Sequence, residues 1–358
     1  MRLIITGGGT GGHVFPGVAV AREFMKRNAG NEILFAGAAR GVETRILPAE
    51  GFAIRTLDVT GLKGKGLMDK ALSVARLARS VRDGMKFISD FAPGAVLGVG
   101  GYASGPVGLA AAIRGIPLFI AEQNAAPGLT NRWLARFARK VFVTWPGSER
   151  RFPAGKGMVT GNPVRPEFFT TGRKRSDGRF LILAIGGSQG ARSINRAMME
   201  AVPALNEMKD QVAVVHQTGQ TGLDDARKGY EKAQFPWTVE AFFNDMPQRL
   251  ADADLVISRS GAGAVAEICA AGRGAVYVPF PFAADDHQTK NAEAMAAGGA
   301  AMIARDSEIN GEFIRRAAGD FIKDGKRLAG MGAMAKAMAK PNAAAAIVDE
   351  IIKLAEAA

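Results

Sequence analysis

The chain has 358 residues, of which 47% are hydrophobic and 22% are charged. This length corresponds to about two domains, and the composition excludes bulk disorder and fibrous repeats. The net charge of +12 indicates an anionic partner. The charge is uneven, because residues 1–163 contain 22 Lys and Arg against 10 Asp and Glu, whereas residues 164–358 contain 24 of each.

A single cysteine, Cys269, excludes an internal disulfide, and no Cys/His cluster has the spacing of metal ligands. No apolar run reaches the ~18 residues of a membrane span, and the N-terminus lacks the core of a signal peptide. These features predict a protein that is neither exported nor transmembrane.

Short apolar runs typical of strands alternate with helix-length stretches along the chain. In the first half, strands are predicted at Leu3–Thr6, Glu32–Ala36, Ala95–Val99, Leu118–Ala121 and Val141–Thr144. The pattern resumes at Phe180–Ile185, Val212–His216, Thr238–Phe242, Leu255–Ser258 and Ala275–Pro279. This alternation predicts two α/β domains, each built on a parallel sheet covered by helices.

Prolines and charges interrupt the periodicity between the two halves, which places a linker near Pro163. The predicted domains are residues 1–163 and 164–341. An alanine-rich helix is predicted over residues 343–357, and it can pack on either domain. A further helix is predicted from Leu67 to Ile88, with Leu77 on its buried face.

Three glycine-rich loops each follow a predicted strand: Gly7–His13, Gly98–Gly105 and Gly186–Ala191. The first precedes a helix predicted to begin near Pro16 or Gly17. Such a loop brings backbone N–H groups to an anion at a helix N-terminus, so phosphate is the natural ligand. A simple tight turn is the alternative explanation.

Other phosphate and metal motifs are weaker. Gly7, Gly9 and Gly12 fit the dinucleotide pattern G-x-G-x-x-G, but the acidic residue expected at the end of the second strand is absent. No Walker-type loop occurs, which argues against a nucleotide hydrolase. Asp252-Ala253-Asp254 resembles a D-x-D metal motif, although its place before a strand favours a helix-to-strand turn.

Together, several motifs resemble the MurG family of N-acetylglucosaminyltransferases, which act in peptidoglycan synthesis. They are Gly8–Gly17, Gly100–Ser104, Glu122–Asn124, Gly161–Arg165 and Gly186–Ala191. Arg259–Ala262, Glu267 and His287–Ala292 extend the resemblance, which covers nearly the whole chain in order.

The resemblance implies a GT-B fold of two Rossmann-like domains facing across a cleft, with the C-terminal helix returning to the first. It implies inverting transfer of GlcNAc from UDP-GlcNAc to the muramyl C4 hydroxyl of lipid I, the pentapeptide-bearing pyrophosphoryl-undecaprenol precursor, to form lipid II. UDP-GlcNAc is then a co-substrate, and no bound cofactor or metal is expected. Roles in cell-wall biogenesis, cell shape and division follow, and other cell-wall and division proteins are further candidate partners.

An inverting displacement needs a base for the acceptor proton and groups that neutralise the leaving diphosphate. His13 is the first candidate base, because imidazole titrates near neutral pH, and Glu122 is the alternative. A phosphate contact or a helix cap remains an alternative role for His13.

The resemblance assigns the remaining contacts. Arg165 and Ser188 would hold the diphosphate, and Glu267 the ribose. Asn124 and Gln288 would hold the sugar, and the Phe243 backbone the uracil. Further donor contacts are implied for Thr10, Gly11, Gly12, Ala262, Gly263, Ala264, Val265 and Ala266, and acceptor contacts for Gly9, Gly100, Gly101, Tyr102 and Ser104. Phe243 and His287 depart from residues found in other members, so only the main chain of Phe243 is carried over.

Lipid I lies in the inner leaflet, so the enzyme is expected at the cytoplasmic face of the bacterial inner membrane as a peripheral protein. One face of the predicted helix 67–88 mixes apolar and basic residues: Met68, Leu72, Arg79, Arg82 and Lys86. Such a face suits anionic phospholipid.

Two other functions remain to be separated from this one. Another UDP-sugar GT-B enzyme, either a lipid glycosyltransferase or a UDP-GlcNAc epimerase, would share the donor site. A basic nucleic-acid binder would explain the charge, but aromatic residues make up only 7% and do not interleave with basic residues.

Overall fold

The computed structural model describes the backbone of residues 1–59, 67–187 and 190–357, and the side chains of these residues except 67–75 and 284. It divides into two units, Met1–Val164 with Lys340–Ala358, and Arg165–Ala339. Within the described ranges, no helix has both the length and the apolar character needed to cross a membrane.

The strands are β1 (Arg2–Thr6), β2 (Glu32–Ala38), β3 (Ile54–Leu57), β4 (Ala95–Gly98), β5 (Leu118–Glu122), β6 (Lys140–Val143), β7 (Gly157–Val159), β8 (Phe180–Ile185), β9 (Val212–Gln217), β10 (Trp237–Glu240), β11 (Leu255–Ser258), β12 (Gly274–Tyr277) and β13 (Ala301–Ile303). The helices are α1 (Gly11–Arg27), α2 (Glu43–Ala49), α3 (Leu67–Phe91), α4 (Ser104–Ile113), α5 (Leu129–Leu134), α6 (Glu167–Thr170), α7 (Arg192–Glu200), α8 (Val202–Asn206), α9 (Leu223–Tyr230), α10 (Met246–Asp252), α11 (Ala262–Ala271), α12 (His287–Ala297), α13 (Gly311–Lys323), α14 (Gly325–Met338) and α15 (Ala343–Glu356).

The first unit is a parallel sheet in the order β3-β2-β1-β4-β5-β6-β7. Successive residues of β1 point to opposite faces, so Leu3 and Ile5 join the core beneath α1 and α15 while Ile4 joins the core on the other face. Because both faces are covered, the strands read as continuous apolar runs. Arg27 of α1 also forms an ion pair with Asp349 of α15 at 2.9 Å.

The second unit is also parallel, in the order β10-β9-β8-β11-β12-β13. Its core includes Ile182 of β8, Val214 of β9 and Ile257 of β11, which pack with Ile194 of α7 and Phe321 of α13. Two parallel α/β domains were predicted from the alternation of strands and helices, and that prediction is confirmed.

The sequence analysis missed β3, β7 and β13, and all three are edge strands. An edge strand has one neighbour and is partly exposed, so it needs no continuous apolar run and gives a weak signal. The prediction that Leu77 lies on the buried face of α3 was also wrong. Leu77 is 40% exposed, whereas Val81 and Ile88 of the same helix are buried.

Helix α1 begins at Gly11, before the predicted start, and therefore contains Pro16. Proline cannot donate the backbone hydrogen bond that this position would normally make, which is why the sequence suggested a later start. Pro16 is buried, so its ring packs in the interior. The earlier start places His13 in the first turn of the helix.

Candidate active site

The first two glycine loops interlock at the carboxyl ends of β1 and β4. The Gly8 amide donates to the Gly100 carbonyl at 3.1 Å. A Cβ at Gly7 would lie 2.4 Å from the Gly100 oxygen, and one at Gly101 would lie 2.3 Å from the Gly8 oxygen. Glycine is therefore required at Gly7 and Gly101 because two backbones pack directly against each other.

Glu43, which the sequence analysis missed, lies beneath the first loop. Its fully buried carboxylate accepts the amides of Gly9 and Ala38, each at 2.8 Å. The Gly7 and Gly8 amides likewise bond to protein carbonyls. These three glycines thus serve turn and packing, and their own amides are used within the protein. A lone Glu before a helix gave no signal for this role.

His13 lies against the second loop. Its Nδ1 is 3.2 Å from Oε1 of Gln123, a residue that is 1% exposed and directly follows β5. A Cβ at Gly100 would lie 2.8 Å from Cε1 of His13, so glycine leaves the space that the ring occupies. The ring is held between the Gly100 backbone and the Gln123 amide.

Glu122, the alternative base, is almost fully buried at the end of β5. Its Oε1 accepts the Asn124 amide at 2.9 Å and Nδ2 of Asn124 at 3.2 Å. Its Oε2 accepts the Gly128 amide at 3.0 Å and Nδ2 of Asn131 at 2.9 Å. Both carboxylate oxygens therefore shape the loop that carries Asn124.

Two residues predicted to contact the acceptor lie in contrasting places. Tyr102 is 58% exposed, which suits a ligand contact. Ser104 is fully buried, with Oγ 2.8 Å from the Thr6 carbonyl and accepting the Gly100 amide at 3.1 Å. The structure corrects the expectation for Ser104, whose hydroxyl supports the second loop instead of reaching an acceptor.

The third glycine loop follows β8 in the second unit, and Ser188 lies outside the described residues. Gly190 has φ +78°, and its Cβ would lie 2.1 Å from the Thr218 oxygen, so this loop also packs closely on a neighbouring backbone. The loop leads into α7, whose N-terminus is a favourable position for an anion.

Arg165 and Glu267 interact electrostatically in the second unit. Burial raises the pKa of Glu267 to about 7, although the positive charge of Arg165 opposes this shift. Glu267 belongs to α11, which begins at Ala262 just after β11. The Arg165 guanidinium also lies 5.1 Å from the ring centroid of Phe168. A half-buried carboxylate with a raised pKa is a recognised feature of ligand sites.

The other predicted donor contacts belong to the same unit. The residues of α11 predicted to contact the donor form its first turn and the start of its second, and the Ala262 and Val265 side chains are buried. The Phe243 amide donates to Oε1 of Gln217 at 3.0 Å. The carbonyl of Phe243 is therefore the main-chain group that remains for the predicted contact with uracil. Oε1 of Gln288 accepts the Phe280 amide at 3.0 Å, which holds the loop before α12.

A polar cluster missed in the sequence joins three segments near the third loop. Arg259 bonds to Asp306 at 2.5 Å and to Ser193 at 3.1 Å, and Ser193 bonds to Asp306 at 2.5 Å. Burial opposes ionisation of Asp306, but the hydrogen bonds from Ser193 and Arg259 outweigh it and hold its pKa below the usual value. The cluster positions the start of α7.

Asp252 and Asp254 cap backbone rather than facing a shared site. Asp252 accepts the Lys174 and Arg175 amides, and Asp254 accepts the Leu181 amide and pairs with Arg173. These contacts match the helix-to-strand turn. In the part of the chain that the structure describes, no group of three or more His, Cys, Asp or Glu is placed to hold a metal.

The basic residues predicted to face a membrane are Arg79, Arg82 and Lys86, and all three are exposed on α3. The side chains of Met68 and Leu72 lie outside the described set. A second exposed surface, which sequence reasoning did not identify as a unit, runs along α5 and the turn after it. We call it the α5 surface, and it comprises Leu129, Arg132, Trp133, Arg136, Phe137 and Arg139.

Comparison with known proteins gives full-length similarity. The glycosyltransferase family 28 N-terminal domain matches residues 3–143, and the C-terminal domain of that family matches residues 181–347. A Geobacter sulfurreducens protein named UDP-N-acetylglucosamine--N-acetylmuramyl-(pentapeptide) pyrophosphoryl-undecaprenol N-acetylglucosamine transferase is 42% identical over 98% of both chains. A Myxococcus xanthus protein of the same name is 40% identical over 99% of this chain and 93% of its own.

Solved structures agree with this similarity. The crystal structure of Acinetobacter baumannii MurG has a TM-score of 0.80 at 32% identity and covers 98% of this chain and 99% of its own. A UDP-GlcNAc 2-epimerase from Neisseria meningitidis has a TM-score of 0.69 at 15% identity, with coverage of 99% of this chain and 100% of its own. The epimerase shares the fold alone.

Proposed function

The chain belongs to glycosyltransferase family 28, and from that premise we propose that it transfers GlcNAc from UDP-GlcNAc to N-acetylmuramyl-(pentapeptide) pyrophosphoryl-undecaprenol. The similarity over nearly the full length to transferases of that name carries this conclusion. The enzyme is an N-acetylglucosaminyltransferase of peptidoglycan synthesis with a GT-B fold.

His13 is the base that takes the proton of the acceptor hydroxyl. This role is supported by its place in the first turn of α1 and by its contact with Gln123. Glu122 is less suited to the role, since a base must offer a free lone pair and its two oxygens already accept four N–H groups.

The donor is held by the second unit, where Glu267 accepts the ribose hydroxyls and Arg165 supplies positive charge. The raised pKa of Glu267 supports this assignment, because ribose hydroxyls would give this half-buried carboxylate the donors that favour its charged form. A guanidinium matches phosphate oxygens in geometry and charge.

A transfer assay with UDP-GlcNAc and a short-chain soluble analogue of lipid I tests the function. UDP release and a disaccharide product should both require the acceptor. UDP release without acceptor would contradict the transferase, and formation of the 2-epimer of the donor would establish the epimerase alternative. Steeply salt-dependent binding of RNA without binding of UDP-GlcNAc would point to a nucleic-acid protein.

Peripheral docking on anionic phospholipid is supported by two exposed surfaces of the first unit. On the α5 surface, Leu129, Trp133 and Phe137 are 75%, 41% and 48% exposed, and their spacing of four residues aligns them beside Arg132 and Arg136. The Trp133 and Phe137 rings stack edge to face at 5.4 Å. Amphipathic aromatic rings flanked by arginines suit the interface of an anionic bilayer.

Charge reversal on vesicles tests the docking. Changing Arg79, Arg82 and Lys86 to Glu, or Arg132, Arg136 and Arg139 to Glu, should each weaken binding to phosphatidylglycerol vesicles at least about 100-fold, since each basic residue contributes about 1 kcal/mol. Turnover of the short-chain acceptor should persist. The matched control reverses Lys228, Lys232 and Lys326, which are exposed on the second unit. Vesicle binding that falls equally in the control would rule out a specific surface.

A further inference from the structure

Gln123 carries an amide whose two ends have different environments. Its Oε1 lies 3.2 Å from Nδ1 of His13, while its Nε2 is buried and has no hydrogen-bond partner among the residues that the structure describes. A buried amide nitrogen without a partner costs free energy, so the residue is held in this place at the expense of stability. That cost points to a role in the site and not only in the core.

We propose that Gln123 is a positioning residue that sets the tautomer of His13, with Oε1 accepting the proton of Nδ1 so that Nε2 keeps its lone pair. An amide oxygen can only accept, so the ring nitrogen that faces it must carry the hydrogen. In a neutral imidazole the other nitrogen is then the basic one. The inference rests on the proposed function, in which His13 is the base.

The proton balance of the transfer follows. The acceptor oxygen forms a bond to C1 of GlcNAc while the bond from C1 to the diphosphate oxygen breaks, and that electron pair leaves with UDP. The acceptor O–H bond breaks, and its proton goes to Nε2 of His13. The imidazolium keeps its Nδ1 hydrogen bond to Gln123 throughout the step.

The carboxylates near His13 are held by other hydrogen bonds, so Gln123 is the side chain that orients the ring. Three titratable side chains belong to the segments that meet at the two interlocked loops: Glu43 at the start of α2, Glu122 at the end of β5 and Tyr102 in the second loop. Glu43 is committed to the amides of Gly9 and Ala38, and Glu122 to its own loop. A neutral amide orients the ring without adding the negative charge that would favour the imidazolium.

Nitrogen-15 NMR of the whole protein tests the tautomer without an activity measurement. The chain has three histidines, and burial lowers the pKa of His216 to about 3, so His216 remains neutral and serves as an internal reference. His13, assigned by its loss in His13→Ala, should show a protonated Nδ1 and an unprotonated Nε2 above neutral pH. Gln123→Met should shift it toward a mixture of tautomers. A protonated Nε2 in the parent protein, or no change in Gln123→Met, would overturn the proposal.

Kinetics give the second test. Gln123→Met should lower kcat about 100-fold with little change in the dissociation constant of UDP-GlcNAc. Gln123→Glu should restore kcat at high pH while moving the acidic limb of the pH profile upward, because a carboxylate stabilises the imidazolium. Gln248→Met removes a hydrogen-bonded amide in the second unit and is the matched control. Full activity with an unchanged pH profile in both Gln123 variants would refute the positioning role alone, whereas a parent protein without transferase activity would refute the proposed function.

Discussion

Each unit holds a carboxylate near the carboxyl edge of its sheet, Glu122 almost fully buried and Glu267 half-buried, and the two are held in opposite ways. In the first unit Glu122 accepts four N–H groups, whereas in the second unit burial raises the pKa of Glu267 to about 7 with only the charge of Arg165 in opposition. A buried carboxylate that has its donors belongs to the scaffold. On the proposed function, bound ribose supplies Glu267 with hydroxyl donors of this kind.

The two units also differ in net charge. The first unit has 24 Lys and Arg against 13 Asp and Glu, whereas the second has 22 against 21. The basic excess therefore belongs to the unit that carries His13, the exposed face of α3 and the α5 surface. A protein-wide charge of +12 is in effect a property of one unit.

Replacing His13 is expected to have the largest effect. His13→Ala should lower kcat by about 10²- to 10⁴-fold, because general base catalysis contributes that much, while the dissociation constant of UDP-GlcNAc changes little. Steady-state kinetics would measure the change in kcat, and calorimetry would measure the dissociation constant of UDP-GlcNAc. Equal loss of donor binding would make His13 a phosphate ligand instead.

Glu122→Gln should destabilise the protein by about 2–4 kcal/mol. The new amide group would face N–H donors, leaving buried donors unpaired at about 1–3 kcal/mol each. Urea unfolding measures this loss, and Glu167→Gln, at an exposed position on α6, is the control. Unchanged stability with loss of turnover would instead identify Glu122 as the base.

Gly101→Ala and Gly9→Ala form a matched pair, since both glycines have φ +85°. A Cβ at Gly9 meets nothing within 4 Å, whereas one at Gly101 lies 2.3 Å from the Gly8 oxygen. Gly9→Ala should cost about 1–2 kcal/mol of backbone strain, and Gly101→Ala at least about 2 kcal/mol more. Equal losses of unfolding free energy would show that the loops do not interlock.

Glu267→Gln should lower the affinity for UDP-GlcNAc about 10- to 100-fold, the effect of losing one or two charged hydrogen bonds. Unchanged donor affinity would remove Glu267 from the ribose site.

The same variant should respond to pH in the ligand-free state. Because the native pKa of about 7 lies above the ordinary value of 4.5, the native state binds more protons than the unfolded state, and stability falls as pH rises from about 4.5 through 7. Glu267→Gln does not ionise, so its thermal midpoint relative to the parent should be higher at pH 8 than at pH 5.5. A difference that does not depend on pH would show that Glu267 is solvated.

Much of the fold and several site positions could be predicted locally. The central strands were predicted because both of their faces are covered, which requires unbroken apolar residues such as those of β8 and β11. His13 and Glu267 were singled out because they lie within short motifs, and their roles stay predictions. The edge strands β3, β7 and β13 and the exposure of Leu77 were not predictable, because they depend on what lies beside them.

The sequence by itself determined the two parallel α/β units, the basic first half and the family. These properties depend on residue types at short spacing along the chain, so they can be identified without knowing which segments meet in the fold. The tertiary structure alone decided what the glycines and polar residues near the site do. Gly8 meets Gly100, Glu43 reaches Gly9 and Gln123 reaches His13 across separations of 92, 34 and 110 residues. Such partners are brought together only by the sheet order, so no local pattern could show that the Gly7, Gly8 and Gly9 amides bond to the protein itself.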